Sequence, residues 1–235
     1  MELLLEGMAR ALALIARGDP ELVRIATLSL AVSGAATLIA AAIGVPLGAI
    51  LHLGRFRGRR LLRLAVSTGM GVPPVLVGLL VLLLFLRSGP LGDLRLLFTP
   101  GAMVIAQFLV ALPYVAGLTA AVLDLLDPSL TEAMRADGAG GGRVAVELVH
   151  ATWPQVLAAV AAGFGRAVSE VGASLMVGGN ILGHTRIFTT AIALESARGD
   201  FSLAIALGLI LLAMALGVNV LLGLAGSPRP GRGVA

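Results

Sequence analysis

The chain contains neither cysteine nor lysine among its 235 residues. Without cysteine it has no disulfide bonds, no thiolate chemistry and no cysteine metal site. Without lysine it has no P-loop for nucleotide phosphates, since that loop needs its GK[ST] lysine, and no Schiff-base chemistry on a lysine amine. Any energy from ATP must therefore enter through another protein, and the sequence predicts no cofactor on this chain.

Charged residues are scarce, at 13% of the chain compared with about 25% in a typical soluble domain. Mean hydropathy is +1.00. The 17 basic residues are all arginines, mostly at the ends of apolar runs, so the net charge of +4 does not indicate nucleic-acid binding. The histidines (His52, His150 and His184) lie far apart without the spacing of metal ligands, and no metal site is expected. The composition predicts a polytopic α-helical membrane protein.

Five predominantly apolar segments are long enough to cross a bilayer, which takes about 20 helical residues. They are residues 21–53, 64–86, 101–125, 152–182 and 201–225. Residues 1–18 are amphipathic and too short to span comfortably, so we expect an interfacial helix there. The five arginines between residues 55 and 63 place that loop in the cytoplasm by the positive-inside rule.

The second apolar segment contains two adjacent prolines, Pro73 and Pro74. Proline breaks the helical hydrogen-bond ladder, and in a membrane the freed carbonyl groups need partners inside the protein or in a wet cavity. Two interpretations stand side by side: a tolerated kink, or a wall of a translocation path.

Arg166 and Glu170 interrupt the fourth segment. Residues four apart share a helix face, so the two side chains are expected to pair. Charges inside a membrane usually face the bundle interior or a water path. The pair is either a structural ion pair that fixes helix packing or part of a polar path with a gate, in which Ser169, Gly172 and Asn180 are further candidates.

The longest polar interruption is residues 128–154, PSLTEAMRADGAGGGRVAVELVHATWP. Ser129 and Glu132 fit the S-x-x-E capping box, which predicts a short helix that starts at Ser129. Gly138 is placed to end this helix, and a second helical run is expected from Arg143. Because the second and third apolar segments cross in turn between them, this stretch is expected on the same side as the arginine loop, where it can present a helix to another protein.

Within this stretch, Glu132-Ala133-Met134 followed by Gly138 resembles the EAA-x3-G loop of bacterial ABC-importer permease subunits. Met134 stands where the family has a second alanine, and the family's later Leu-Pro is absent. Residues 164–201 are similar to permeases of the tungstate type. Molybdate and sulfate permeases share the Glu-x-Gly-Ala and Gly-Asn core of this segment, here Glu170, Gly172, Ala173, Gly179 and Asn180.

The resemblance implies an all-α, type I importer fold with a single transmembrane permease domain over residues 1–235. It comprises about five transmembrane helices, a cytoplasmic coupling loop at 126–151 and a cytoplasmic tail at 226–235. In this family the loop docks on a separate ATP-binding subunit. The resemblance thus assigns ATPase coupling to Ser129, Glu132, Ala133, Arg135, Asp137 and Gly138.

The partners implied are a second copy of the chain, two ATP-binding subunits that carry ATP-Mg, an external oxyanion-binding protein and membrane lipid. The location implied is the cytoplasmic (inner) membrane of a bacterium or archaeon. The predicted function is transport rather than catalysis: the transmembrane subunit of an ATP-driven oxyanion importer. The run TTAIALE at 189–195 favours tungstate, with molybdate or sulfate as alternatives.

Two other classes compete with this prediction. An ion-coupled secondary transporter usually contains inverted repeats with paired broken helices, and the sequence shows no convincing repeat. A structural subunit of a membrane complex is the third class.

Overall fold

The structure, a computed structural model, describes residues 1–226, and these contain eleven α-helices, a short 3-10 turn (Gly92–Leu94) and no strand. The predicted tail at 226–235 lies, apart from Gly226, outside the described residues. The helices are α1 (Glu2–Arg17), α2 (Pro20–Leu53), α3 (Arg59–Gly71), α4 (Pro74–Phe85), α5 (Pro100–Asp124), α6 (Pro128–Ala136), α7 (Gly141–Ala151), α8 (Trp153–Val168), α9 (Gly172–Gly178), α10 (Phe188–Arg198) and α11 (Phe201–Gly226).

Three of these helices, α2, α5 and α11, are long and apolar enough to cross a membrane. Two pairs are sharply bent: α3 meets α4 at 104°, and α7 meets α8 at 81°. The described residues therefore provide three spans, or up to five if each bent pair is one span. The predicted all-α membrane bundle is confirmed.

The fourth predicted span, residues 152–182, is not one continuous helix. Helix α8 ends at Val168, and a separate short helix, α9, begins at Gly172. The backbone turns between them because the Glu170 side chain, 3.1 Å from Arg166, accepts a hydrogen bond from the first turn of α9. The fourth segment is thus divided at its charged residues.

Small residues let α2, α5 and α8 approach closely at the centre of the bundle. A Cβ atom added to Gly44 would lie 3.0 Å from the Val115 side chain, and one added to Gly163 would lie 2.5 Å from it. A Cβ atom on Gly48 would lie 2.8 Å from the carbonyl oxygen of Ala116. Because lipid tails remove the hydrophobic driving force between helices, such close packing supplies much of their association energy.

A buried chain of polar side chains joins α9 to this centre. The Ser33 hydroxyl donates to Gln107 Oε1 (2.8 Å), and Gln107 Nε2 donates to the Ser174 hydroxyl (2.9 Å). Gln107 is completely buried. A satisfied polar network in an apolar interior fixes the relative positions of its helices, here α2, α5 and α9.

Helix α1 is present where the sequence predicts it and packs along α11. A Cβ atom on Gly7 would come within 2.5 Å of Ile205 Cγ2, and Arg10 pairs with Asp200 at 2.8 Å. Its position at the membrane interface stays a prediction.

The segment between the fourth and fifth predicted spans, residues 184–200, contains helix α10. The Phe188 N–H donates to the Ser29 hydroxyl of α2 at 2.9 Å, and Arg186 pairs with Glu21 at 3.2 Å. These contacts place the start of α2 and the start of α10 at the same end of the bundle.

Candidate functional site

Helix α6 lies on the surface at the other end of the bundle, and its residues are exposed or half-buried. Its N-cap is Asp127, whose Oδ1 accepts the Ser129 N–H at 2.9 Å. The predicted capping box with Ser129 as N-cap is therefore wrong. Pro128 takes the first helical position, which suits its fixed φ and missing N–H, and this moves the cap back to Asp127.

The end of α6 agrees with the sequence prediction. Gly138 follows the helix with φ of 84°, a conformation that only glycine adopts at little cost. The Ala139 N–H donates to the Met134 carbonyl at 3.0 Å and so closes the last turn.

The position of Asp127 at the start of α6 also shifts the pKa of its carboxyl group. The Ser129 N–H stabilises the ionised carboxylate and lowers the pKa of Asp127 below its usual value. Since the folded-state pKa is the lower one, the cap stabilises α6 above the unfolded-state pKa and is lost as pH falls through the folded-state value.

The six predicted coupling residues form one exposed group on and just after α6. Leu130 adds an apolar side chain that is 38% exposed. Within residues 1–226 the Glu132 side chain has no hydrogen-bond partner, so it is free to contact another protein. The structure thus brings together Ser129, Glu132, Ala133, Arg135, Asp137 and Gly138.

A cavity of about 250 Å³ separates α6 from the arginine loop. Its walls include Arg55 and Arg59 on one side and Thr131, Glu132 and Arg135 on the other. The two segments predicted to be cytoplasmic therefore face each other.

Asp124, the last residue of α5, joins three helices close to α6. Its Oδ1 lies 2.7 Å from His52 Nδ1 at the end of α2 and 2.9 Å from Arg63 Nη2 in α3. Arg63 and Arg59 also donate to the Leu51 carbonyl, which the end of α2 leaves without a helical partner. Movement of α6 would therefore reach α2 and α3 as well as α5.

The second part of the site is the break between α3 and α4. Pro74 has no N–H for the Met70 carbonyl, which the Tyr114 hydroxyl of α5 binds instead at 2.8 Å. The Gly69 carbonyl, which Pro73 leaves free, accepts the Val72 N–H at 3.4 Å. The predicted need for partners inside the protein is thus met at both prolines.

Arg166 and Glu170 pair as predicted, with Arg166 Nη1 3.1 Å from Glu170 Oε2. The Glu170 side chain is 4% exposed and that of Arg166 is 24% exposed. The other carboxylate oxygen, Glu170 Oε1, accepts the Ala173 N–H at 2.9 Å, so Glu170 caps α9 from one residue before the N-cap position, Val171. Arg166 also lies over the Tyr114 ring, 5.9 Å from its centroid, within the range of a cation–π contact.

The two breaks are in direct contact because α9 packs against α4. A Cβ atom on Gly172 would lie 2.5 Å from Val75 Cγ2, and one on Gly78 would lie 2.5 Å from the Cα of Ala173. Glycine is needed at both positions for this approach. The predicted path residues Pro73, Pro74, Ser169, Glu170 and Gly172 are therefore grouped near the start of α9.

Asn180 does not join this group, since it lies beyond the far end of α9. Its backbone is left-handed (φ of 52°), and its buried Oδ1 has no hydrogen-bond partner in the described part of the chain. Ser169 is exposed and donates to the Arg166 carbonyl at 3.3 Å.

Two residues of the site, Tyr114 and Asp124, are not predicted from the sequence. The signal for Tyr114 is slight: it is the single tyrosine of the chain, and it sits inside an apolar helix. Asp124 sits at a helix end, where acidic residues are common and unremarkable in a sequence.

A comparison with known families matches residues 44–226 to the family described as "Binding-protein-dependent transport system inner membrane component". The chain belongs to this family. The permease is 40% identical over 222 residues to the tungstate uptake system permease protein TupB of Peptoclostridium acidaminophilum, which covers 94% of this chain and 97% of that protein. It is 42% identical over 216 residues to a probable anion ABC transporter permease protein of Haloferax volcanii, covering 90% and 93%.

Solved structures show the same fold. A chain of the MetNI methionine ABC transporter matches with a TM-score of 0.65 and 19% identity, over 87% of the permease and 92% of that chain. A bacterial ABC transporter involved in alginate import matches with a TM-score of 0.66 and 17% identity, over 88% and 79%. The permease is thus a multi-pass membrane protein with the fold of ABC transporter permeases, as the resemblance implied.

Proposed function

We propose that this permease is the transmembrane subunit of an ATP-driven importer of tungstate. The assignment of tungstate as substrate rests on the 40% identity to a tungstate uptake permease along nearly the whole length of both chains. A second tungstate uptake permease, from Campylobacter jejuni, is 33% identical over 93% of this chain. Molybdate is the second candidate. A molybdenum transport permease is 31% identical, close to the 33% of the Campylobacter protein, but over a smaller share of this chain, 80%.

The proposed assembly contains two copies of this chain, two ATP-binding subunits and an external oxyanion-binding protein in the membrane of a bacterium or archaeon. ATP-Mg binds to the partner subunits, and residues 126–151 lie in the cytoplasm. The exposed group on α6 is the contact with the ATPase, because it combines a free carboxylate, Glu132, with the apolar Leu130.

The proposed translocation path runs past the two breaks. Pro73 and Pro74 shape one wall, and Ser169, Glu170 and Gly172 shape the facing one, with Asn180 nearer the external end. Glu170 is not a ligand for an oxyanion, since its negative charge would repel it. Its place beside Arg166 suits a role in holding the gate.

Transport by reconstituted protein tests the proposal. The permease in liposomes with its ATPase partner and binding protein should take up labelled tungstate with ATP and not without it. Excess molybdate should compete weakly and excess sulfate least. Uptake driven by an ion gradient in the absence of partner and ATP would contradict the ATP-driven mechanism. Tight sulfate binding and no tungstate binding by the associated binding protein would contradict the substrate.

The docking role of α6 has a separate test in Glu132→Ala. Because Glu132 caps nothing in this structure, its removal should leave the thermal stability and dimeric state of the permease unchanged. We expect affinity for the ATPase subunit to fall about tenfold, the factor for a net loss of about 1.4 kcal/mol. Glu6→Ala, which removes an exposed glutamate from α1, is the matched control. Equal ATPase affinities in both variants would refute docking through Glu132.

A further inference from the structure

Tyr114 and Arg166 belong to the two helices that flank the coupling segment. Helix α5, which carries Tyr114, leads directly into α6, and α8, which carries Arg166, follows α6 and α7. The contact between the Arg166 guanidinium and the Tyr114 ring therefore joins two helices that α6 would move relative to each other.

Tyr114 acts at the same time on the break between α3 and α4. Its hydroxyl donates to the Met70 carbonyl, a group that Pro74 cannot serve in any helical arrangement of this backbone. The bond is part-buried, so if Tyr114 moves away the Met70 carbonyl needs water as its new hydrogen-bond partner, because a carbonyl left without one is unfavourable inside a protein.

These contacts close a ring through the site. The break leads to α4, α4 packs on α9, Glu170 caps α9, Arg166 pairs with Glu170, and Arg166 lies over Tyr114. Tyr114 returns to the break at Met70. The two breaks are therefore connected twice, directly through α4 and α9 and indirectly through Arg166 and Tyr114.

We propose that Tyr114 and Arg166 form a latch between α5 and α8 that limits the access of water to the Met70 carbonyl until α6 moves. The latch deepens the proposed function, on which it rests. Tyr114 is a positioning residue, because it acts on the path through the Met70 carbonyl rather than on the substrate.

The strengths of the contacts suit a latch. The cation–π contact is the weak member of the ring, whereas Glu170 is buried and bound on both oxygens. Separation of α5 from α8 near Tyr114 would therefore break the Arg166–Tyr114 contact first and leave the cap of α9 intact. Opening would then admit water to the Met70 carbonyl, as a hydrophilic path requires.

The absence of native cysteine permits a direct test of wetting. Gly71 is exposed, and a side chain there would meet no atom within 4 Å, so G71C is a benign reporter beside Met70. G217C, equally open on α11, is the matched control for general loosening. The rate of reaction with a water-soluble maleimide is measured for each reporter in permease reconstituted without ATPase or ATP.

We expect Tyr114→Phe, which removes the hydroxyl and keeps the ring, to raise the labelling rate of G71C about tenfold, the factor for loss of one net hydrogen bond. The rate at G217C should not change. With the partners and ATP present, the same variant should hydrolyse ATP at the native rate but transport less. Arg166→Gln, which leaves the hydroxyl in place, should raise the G71C rate by a smaller factor.

An unchanged G71C rate in both variants would overturn the latch. Equal increases at both reporters would also overturn it, because Tyr114 would then only maintain the fold. The labelling needs no substrate or ATPase, so a failure of the permease to import tungstate would refute the proposed function and leave this result standing.

Discussion

Helices α6 and α9 are both short, and each is preceded by a carboxylate that accepts a backbone N–H from its first turn at 2.9 Å. Their surroundings are opposite. Asp127 caps α6 on the surface and has no cationic partner in the described chain, whereas Glu170 caps α9 in the interior and pairs with Arg166. The same local device thus serves a helix free to bind a partner and a helix fixed within the bundle.

The comparison of the two helices predicts that substitution of Glu170 causes the largest loss of stability. Glu170→Ala leaves α9 without its cap and Arg166 without its partner, and because Arg166 is partly exposed the loss is that of a charged hydrogen bond, about 1.5–3 kcal/mol. Thermal unfolding of the purified permease measures the loss. Glu170→Gln keeps an acceptor for the Ala173 N–H and should lose less, so equal losses in both variants would show that the cap is unimportant.

An intermediate effect is expected at Asp124, which is 38% exposed but contacts both His52 and Arg63. Asp124→Asn weakens both contacts, and a cost of about 1 kcal/mol follows from the partial exposure. Coupling should suffer more than stability, because the link from the end of α5, which leads into α6, to α2 and α3 is weakened. The ratio of tungstate transported to ATP hydrolysed should fall below that of Asp93→Asn, an exposed control, and an equal ratio would exclude this link.

The smallest effect is expected at Asp127. Asp127→Asn should speed hydrogen exchange of the α6 amides without changing the midpoint of global unfolding. In the native protein the same acceleration should appear only in acid. The pKa of Asp127 lies below its ordinary value of 3.8. The stabilisation of α6 by the carboxylate is therefore present above that pH and is lost as the pH falls through the lowered pKa. If the α6 amides of the native protein exchanged as fast at neutral pH as those of Asp127→Asn, the carboxylate would not be what stabilises the start of α6.

The sequence predicts the exposed helix better than the buried one. Gly138 and the charged stretch define α6 from local pattern alone, and only the cap is misplaced, since Asp127-Pro128-Ser129 contains two acceptable N-caps. The break before α9 is missed because it depends on Glu170 finding the Ala173 N–H inside a folded bundle. An apolar run with two charges is equally compatible with a continuous helix and a divided one.

The sequence predicts those parts of the fold that follow from apolar length and proline position. Apolar length finds α2, α5 and α11, and the two prolines locate the bend between α3 and α4. Tyr114 and Asp124 escape prediction because their partners, the Met70 carbonyl and the end of α2, are 44 and 72 residues away along the chain. Only the packing of α5 brings these groups together.

Helix α2 has 34 residues and no break, which makes it about 51 Å long at 1.5 Å per residue. The hydrocarbon layer of a bilayer is only about 30 Å thick. Each end is held by a side-chain contact, Glu21 with Arg186 and His52 with Asp124, so the helix cannot shorten by fraying without losing these contacts. The helix must therefore tilt in the membrane or extend beyond the hydrocarbon layer. Transport should then depend on the lipid chain length of the host membrane.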